Sequence, residues 1–239
     1  MTIDRIGKGT AKLADSKGVE TNEKMKRGTF SQFSGGTDMA YSNWTLETVV
    51  TTFQLEIVES AALFAEIETI VPSSYLTEVL TKKVQLAIAI GTEKAKSELI
   101  VADILFELRE QFEHRISFFS GIEFSVDEES GLTGVCDFLV SLSPVQHLLQ
   151  APVIVLVEAK KDDLKLGMGQ CVAEMLAAQR FNAERGNDIS CVYGASTTGI
   201  DWLFLKLEGK CLHIDMSTYT IERCDRILGI LSSMVTQKA

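Results

Sequence analysis

The run Pro152-Val153-Ile154-Val155-Leu156-Val157-Glu158-Ala159-Lys160 constrains the fold of this chain more than any other segment. An unbroken β-branched and aliphatic stretch of this kind reads as a strand buried on both faces. It ends in a carboxylate and an amine two positions apart. Side chains alternate along a strand, so Glu158 and Lys160 project from one face, roughly 6–7 Å apart along the chain. Charges at the end of a buried strand are costly unless they are paired, hydrated or bound to a metal. Upstream, Gly134-Val135-Cys136-Asp137-Phe138-Leu139-Val140 supplies a second strand with a lone Asp in apolar company.

The pattern on either side of these strands divides the chain into three regions. Residues 1–40 are polar, rich in Lys, Thr, Ser and Gly, and read as a flexible tail. Residues 41–91 read as a helical extension packed on the core, with a helix starting near Pro72-Ser73-Ser74 and Leu76, Val79 and Leu80 at helical spacing. Residues 92–239 carry an α/β pattern. Thr92 is an N-cap for a mostly apolar helix through Leu108. Strands are expected at Ile116–Ser120, Ile122–Val126, Gly134–Leu142 and Val153–Lys160. A second helix follows at Gly167–Ala183, then strands at Ile189–Ala195, Trp202–Leu207 and Cys211–Ile214. An amphipathic helix, Tyr219–Val235, closes the chain. The order implies an α/β fold with a mixed central sheet flanked by helices. The strand at 153–160, the helix at 167–183 and the strand at 189–195 fit a right-handed crossover.

With 239 residues the chain can bury a substantial core. The longest apolar runs fall short of the ~20 residues of a membrane span. Five cysteines, Cys136, Cys171, Cys191, Cys211 and Cys224, never stand as C-x-x-C and mostly sit in apolar segments. They read as reduced core residues, and a cytoplasmic location follows from them. The net charge of −10 argues against non-specific coating of nucleic acid. Residues 1–30, however, carry seven Lys/Arg against four Asp/Glu. A local basic cleft or divalent cations would still let an acidic protein act on nucleic acid.

Asp137 and Glu158 are suited to holding Mg²⁺ or Mn²⁺, with the carbonyl of Ala159 as a third protein ligand and waters or a phosphate completing the shell. Lys160 would orient a water, lower its pKa, or stabilise a pentavalent transition state, and a neighbouring metal would keep its own pKa low enough for proton exchange. Asp137 followed by Glu158-Ala159-Lys160 resembles the PD-(D/E)XK nuclease superfamily, the restriction-endonuclease-like fold. That family's core order, helix–strand–strand–strand–helix–strand, fits residues 94 to about 195. The string Gly169-Gln170-Cys171-Val172-Ala173-Glu174-Met175 also looks like bacterial, including cyanobacterial, proteins of this type. The resemblance implies a metal-dependent nuclease, acting on DNA with RNA as the other option. Asp137 and Glu158 would be ligands and Lys160 the catalytic lysine. Glu98 resembles the acid many members carry on the first core helix, and Gln170 the glutamine of the second. A homodimer is compatible with duplex cleavage. Gly134-Val135-Cys136-Asp137 departs from the pattern in having no Pro before the Asp.

Other readings stand beside this one. Glu-x-Lys at a strand end is commonly a solvated or structural pair, and a catalytically silent relative would use the same fold for binding or assembly. Glu98 near a helix N-terminus also favours the helix dipole. Gln170 shares a small-residue face with Ala173, Glu174 and Ala177, where exposure or backbone bonding is the ordinary outcome. Lys161 and Lys165 are offset by Asp162 and Asp163. His114, His147 and His213 lack metal-ligand spacing. Gly194-Ala195-Ser196-Thr197-Thr198-Gly199 is neither a P-loop nor a nucleophile elbow.

Overall fold

The computed structural model describes residues 39–187 and 189–236. The expected polar tail at 1–40 therefore lies outside the described residues, apart from Met39 and Ala40. A short 3-10 turn, Tyr41–Asn43, leads into α1 (Leu46–Phe53), whose N-cap Thr45 accepts from the backbone of Thr48. Strand β1 (Glu56–Ser60) follows, then α2 (Ser74–Ile90), capped by Ser73 and closed by Gly91 at φ 69°. Helix α3 (Glu93–Lys96), a π turn (Ser97–Val101) and α4 (Ala102–Gln111) run on from one another, and Thr92 caps the start. Next come β2 (Ser117–Glu123), β3 (Val135–Ser141) and β4 (Val153–Ala159). Helix α5 (Leu164–Glu184) begins at the N-cap Asp163 and precedes β5 (Val192–Thr197). The chain ends with β6 (Asp201–Glu208), β7 (Cys211–Asp215), β8 (Tyr219–Thr220) and α6 (Cys224–Val235).

Among the described residues the eight strands form one mixed sheet in the order β1-β7-β6-β5-β4-β3-β2, with β8 paired to β6. Strands β2, β3 and β4 run as an antiparallel meander, and β4 pairs parallel with β5 after the α5 crossover. Strand β4 is buried at every position, which explains its apolar run. Its alternate side chains feed two cores. Val155 and Val157 pack with Phe138, Ile104, Leu108, Ile227 and Leu231 on the side of α4 and α6. Leu156 packs with Leu139, Cys171, Val172 and Met175 on the side of α5. Each such aliphatic side chain contributes about 1.5–3 kcal/mol when fully buried, so the centre of the sheet anchors whatever sits at its end.

Three local expectations change. The two strands expected at Ile116–Ser120 and Ile122–Val126 form one strand, β2, because Gly121 passes through it at φ 61° without ending it. The region expected to be a purely helical extension contains β1, which pairs parallel with β7 from Glu56↔Cys211 to Ser60↔Asp215. Its side chains are mostly exposed at the sheet edge, so it lacks the apolar alternation that marks a half-buried strand. The closing helix starts later than Tyr219, since Tyr219 and Thr220 pair with Trp202 and Asp201 of β6.

Helix α5 is covered on two sides. Facing the sheet, Cys171 Sγ lies 3.8 Å from the Leu156 carbonyl and 3.7 Å from that of Ala195. On its other side Gly169 meets the start of α1: a Cβ there would lie 2.5 Å from the Trp44 carbonyl oxygen and 2.6 Å from the Leu46 nitrogen. Only glycine permits this approach. No helix among the described residues is long and apolar enough to cross a membrane.

Candidate active site

Asp137 shares the strand face of Leu139, and Glu158 that of Leu156, so both carboxylates point to the α5 side of the sheet. The antiparallel register Phe138↔Val157 makes them neighbours at the end of the β3–β4 ladder. The backbone N–H of Ala159 donates to Asp137 Oδ2 at 2.9 Å. Lys160 continues β4 with its N–H bonded to the Thr197 carbonyl at 2.7 Å. Its ammonium pairs with Glu158 Oε1 and donates to Gln170 Oε1 at 3.2 Å. Gln170 Nε2 in turn donates to Glu174 Oε1 at 3.1 Å. Gly167, one turn earlier on α5, leaves room for this arrangement: a Cβ there would run into Ser196 Oγ and lie 3.0 Å from Lys160 Cγ.

The site is dry. Glu158 is 1% exposed and Glu174 0%. One oxygen of each, Oε2, is buried without a hydrogen-bond partner. Burial pushes the Glu158 carboxyl up to about 8, the Asp137 charge adds to this, and Lys160 opposes it. Burial, and then Glu158, hold the Glu174 carboxyl well above the usual range. Asp137 is raised by burial, partly offset by the Ala159 N–H and by Lys160. For Lys160, burial disfavours the charge, but the attraction of Glu158 outweighs it and the net shift is upward. Three carboxyls thus share one compensating cation in a low-dielectric volume, and the cluster retains protons at pH values where free carboxylates have lost them.

Of the residues expected from sequence, the fold brings Asp137, Glu158, Lys160 and Gln170 together. Gln170 is buried and bonded to Lys160, not exposed on a small-residue face. Ala159 contributes its N–H to Asp137. Glu98 does not join them: it is 60% exposed and pairs with Lys94 at 2.8 Å. It lies in the π turn Ser97–Val101, where the regular α spacing of a core-facing stripe is interrupted. On the same stretch Glu93 is exposed, and its charge adds a small upward push to the pKa of both Glu158 and Lys160. Sequence reasoning also missed Glu174. Its signal was the i, i+4 spacing from Gln170 on a helix with few other charges.

Asp137 and Glu158 present hard oxygen donors, and the unpartnered Glu158 Oε2 is suited to a divalent cation of the Mg²⁺ class, which takes few protein ligands and keeps waters. Among the described residues no group of three or more His, Cys, Asp or Glu could hold a metal ion. Two carboxylates, with a backbone carbonyl such as that of Ala159, are therefore the protein donors on offer. Comparison of the chain with protein-family models, with curated proteins and with solved structures found no match.

Proposed function

We propose that this chain is a metal-dependent phosphodiesterase of the PD-(D/E)XK class that hydrolyses nucleic acid, with DNA as the expected substrate. The single observation that carries this reading is the convergence of Asp137, Glu158 and Lys160 at the end of β4, with Glu158 Oε2 buried and unpartnered. The element order α3/α4–β2–β3–β4–α5–β5, with a parallel β4–β5 pair, also accords with the core order of that superfamily.

When bound, Mg²⁺ or Mn²⁺ would lower the pKa of a water and neutralise charge at phosphorus. Asp137 and Glu158 would hold it. The Ala159 N–H fixes the Asp137 carboxylate in place, so that little reorganisation is needed on binding. Lys160 acts as a held ammonium. In the metal-free chain the attraction of Glu158 keeps its charge in place, so its part would be electrostatic, donating to a phosphate oxygen as negative charge builds up, while the proton exchange expected of this amine would be favoured beside a bound cation. Gln170 keeps that ammonium on the carboxylate side of α5.

The Lys160–Glu158 ion pair itself favours a second reading, in which the site is catalytically silent and the fold serves binding or assembly. One panel separates the two: labelled single- and double-stranded DNA and RNA, incubated with Mg²⁺ or Mn²⁺, beside Glu158→Ala. Metal-dependent cleavage lost in the variant supports the hydrolase. Cleavage equal in both proteins rejects it. No cleavage, together with no heat of Mn²⁺ binding in calorimetry, favours the silent module.

A further inference from the structure

We propose that Glu174 is the positioning residue of this site: by accepting from Gln170 Nε2 it turns the Gln170 amide so that its oxygen faces the Lys160 ammonium and holds the amine against Glu158. An ammonium has three donors and no acceptor, so the amide must present its oxygen to Lys160. The amide NH₂ then points away from the lysine, into a fully buried stretch of α5, and needs an acceptor there. Glu174 Oε1 meets it at 3.1 Å, one helical turn on. Without that acceptor, either a buried NH₂ is left unpaired or the amide turns over and sets donors against an ammonium.

Packing does not account for Glu174. It is completely buried on a helix whose neighbouring positions Cys171, Ala177 and Ala178 are buried too, and a carboxyl in such a place costs stability that an apolar side chain would not. The chain Glu174–Gln170–Lys160–Glu158 is continuous. An acid two residues removed from the lysine along this chain thus sets where the lysine's charge stands. The inference rests on the proposed function only for its activity readout.

The test uses the full chain and two kinds of measurement. Lys160 is acetylated with acetic anhydride, and its rate is followed by peptide mass spectrometry against the exposed Lys82 as internal standard. Glu174→Leu and Gln170→Leu should each raise the Lys160 rate roughly three- to tenfold, the equivalent of one lost hydrogen bond. The double variant should be no faster than either single one, because both cut the same chain. Glu174→Gln, which keeps an acceptor, should stay near the wild-type rate. In cleavage assays Glu174→Leu should lower kcat by a similar factor with KM unchanged, and Glu174→Gln should recover most of it. Glu174→Met, which removes the acceptor but keeps the side-chain length, carries the same test should Glu174→Leu fail to fold. An unchanged Lys160 rate in these variants overturns the proposal, as do independent, multiplying effects in the double variant or a Glu174→Gln that behaves like Glu174→Leu. A wild-type chain that cleaves nothing but labels as expected sinks the nuclease reading alone.

Discussion

Asp137 Oδ2 accepts the Ala159 N–H at 2.9 Å, so a side chain of β3 completes the hydrogen bonding of β4 just where the strand ladder between them stops. Its carboxylate has this structural role, and in the proposed function a metal-holding one as well; the two can be separated. Asp137→Asn keeps an oxygen for the Ala159 N–H and should fold with a melting temperature near wild type, while Mn²⁺ affinity and cleavage fall at least tenfold, about 1.4 kcal/mol. Asp137→Leu should lose both and be destabilised by a further ~1–3 kcal/mol, because a buried N–H is left unpaired. Urea denaturation beside calorimetry checks the pair. Equal stability of the two variants would contradict the structural role.

Stability should fall as pH rises through the neutral range. Glu158 has an ordinary value of 4.5 and is pushed up to about 8 in the fold by burial and by Asp137, with Lys160 opposing. Its protonated form is thus favoured by folding, and that contribution is complete below about 4.5 and lost as pH climbs through about 8. Glu174 is raised in the same direction, chiefly by burial. Thermal melts between about pH 5 and 9 should show this decline, and Glu158→Gln should flatten it. Mg²⁺ displaces protons from its ligands, so its stabilising effect should be larger at about pH 8 than at about pH 6. A wild-type curve that rises over this range would contradict the assignment.

Two glycines of α5 should fail in different ways. At Gly169 the added Cβ meets backbone, 2.5 Å from the Trp44 carbonyl oxygen. Gly169→Ala should therefore cost about 1–3 kcal/mol through overpacking of α1, with Mn²⁺ affinity largely kept in the folded fraction. At Gly167 the Cβ meets side chains rather than backbone, the Ser196 hydroxyl and the Lys160 stem. Gly167→Ala should lose less stability and more metal affinity and cleavage. Melting temperature and calorimetry on both proteins test the ordering.

The acid of the first helix offers a contrast between neighbours. Glu98→Gln breaks only an exposed i, i+4 pair with Lys94 and should match wild type in melting and in cleavage. Glu93→Gln removes a charge that raises the pKa of both Glu158 and Lys160. The neutral-pH decline in stability should shift to lower pH in that variant, and its cleavage profile should shift with it. The reverse ranking would return Glu98 to the site.

The sequence by itself determined the parts whose side-chain period is short and whose burial is one-sided or complete. The β-branched and aliphatic run of β4 read as a strand buried on both faces, and period-two alternation then put Glu158 and Lys160 on one face. Asp137 was legible because a lone carboxylate inside Val135–Ser141 is costly to bury unless a hydrogen bond or a cation meets it. Thr92 was legible as a cap because capping is local chemistry. The rest was decided by tertiary structure. Helix α5 is enclosed between the sheet and α1, so it has no polar face by which a periodicity could orient Gln170 and Glu174; the close approach at Gly167 and Gly169 did that. Glu98 lies in the π turn at Ser97–Val101 and is exposed beside Lys94, and a π turn is backbone geometry that no spacing rule anticipates. Strand β1 exists because the edge of β7 offers unpaired backbone groups, and hydrogen bonding to a partner so distant in sequence leaves no mark on a short, largely exposed segment.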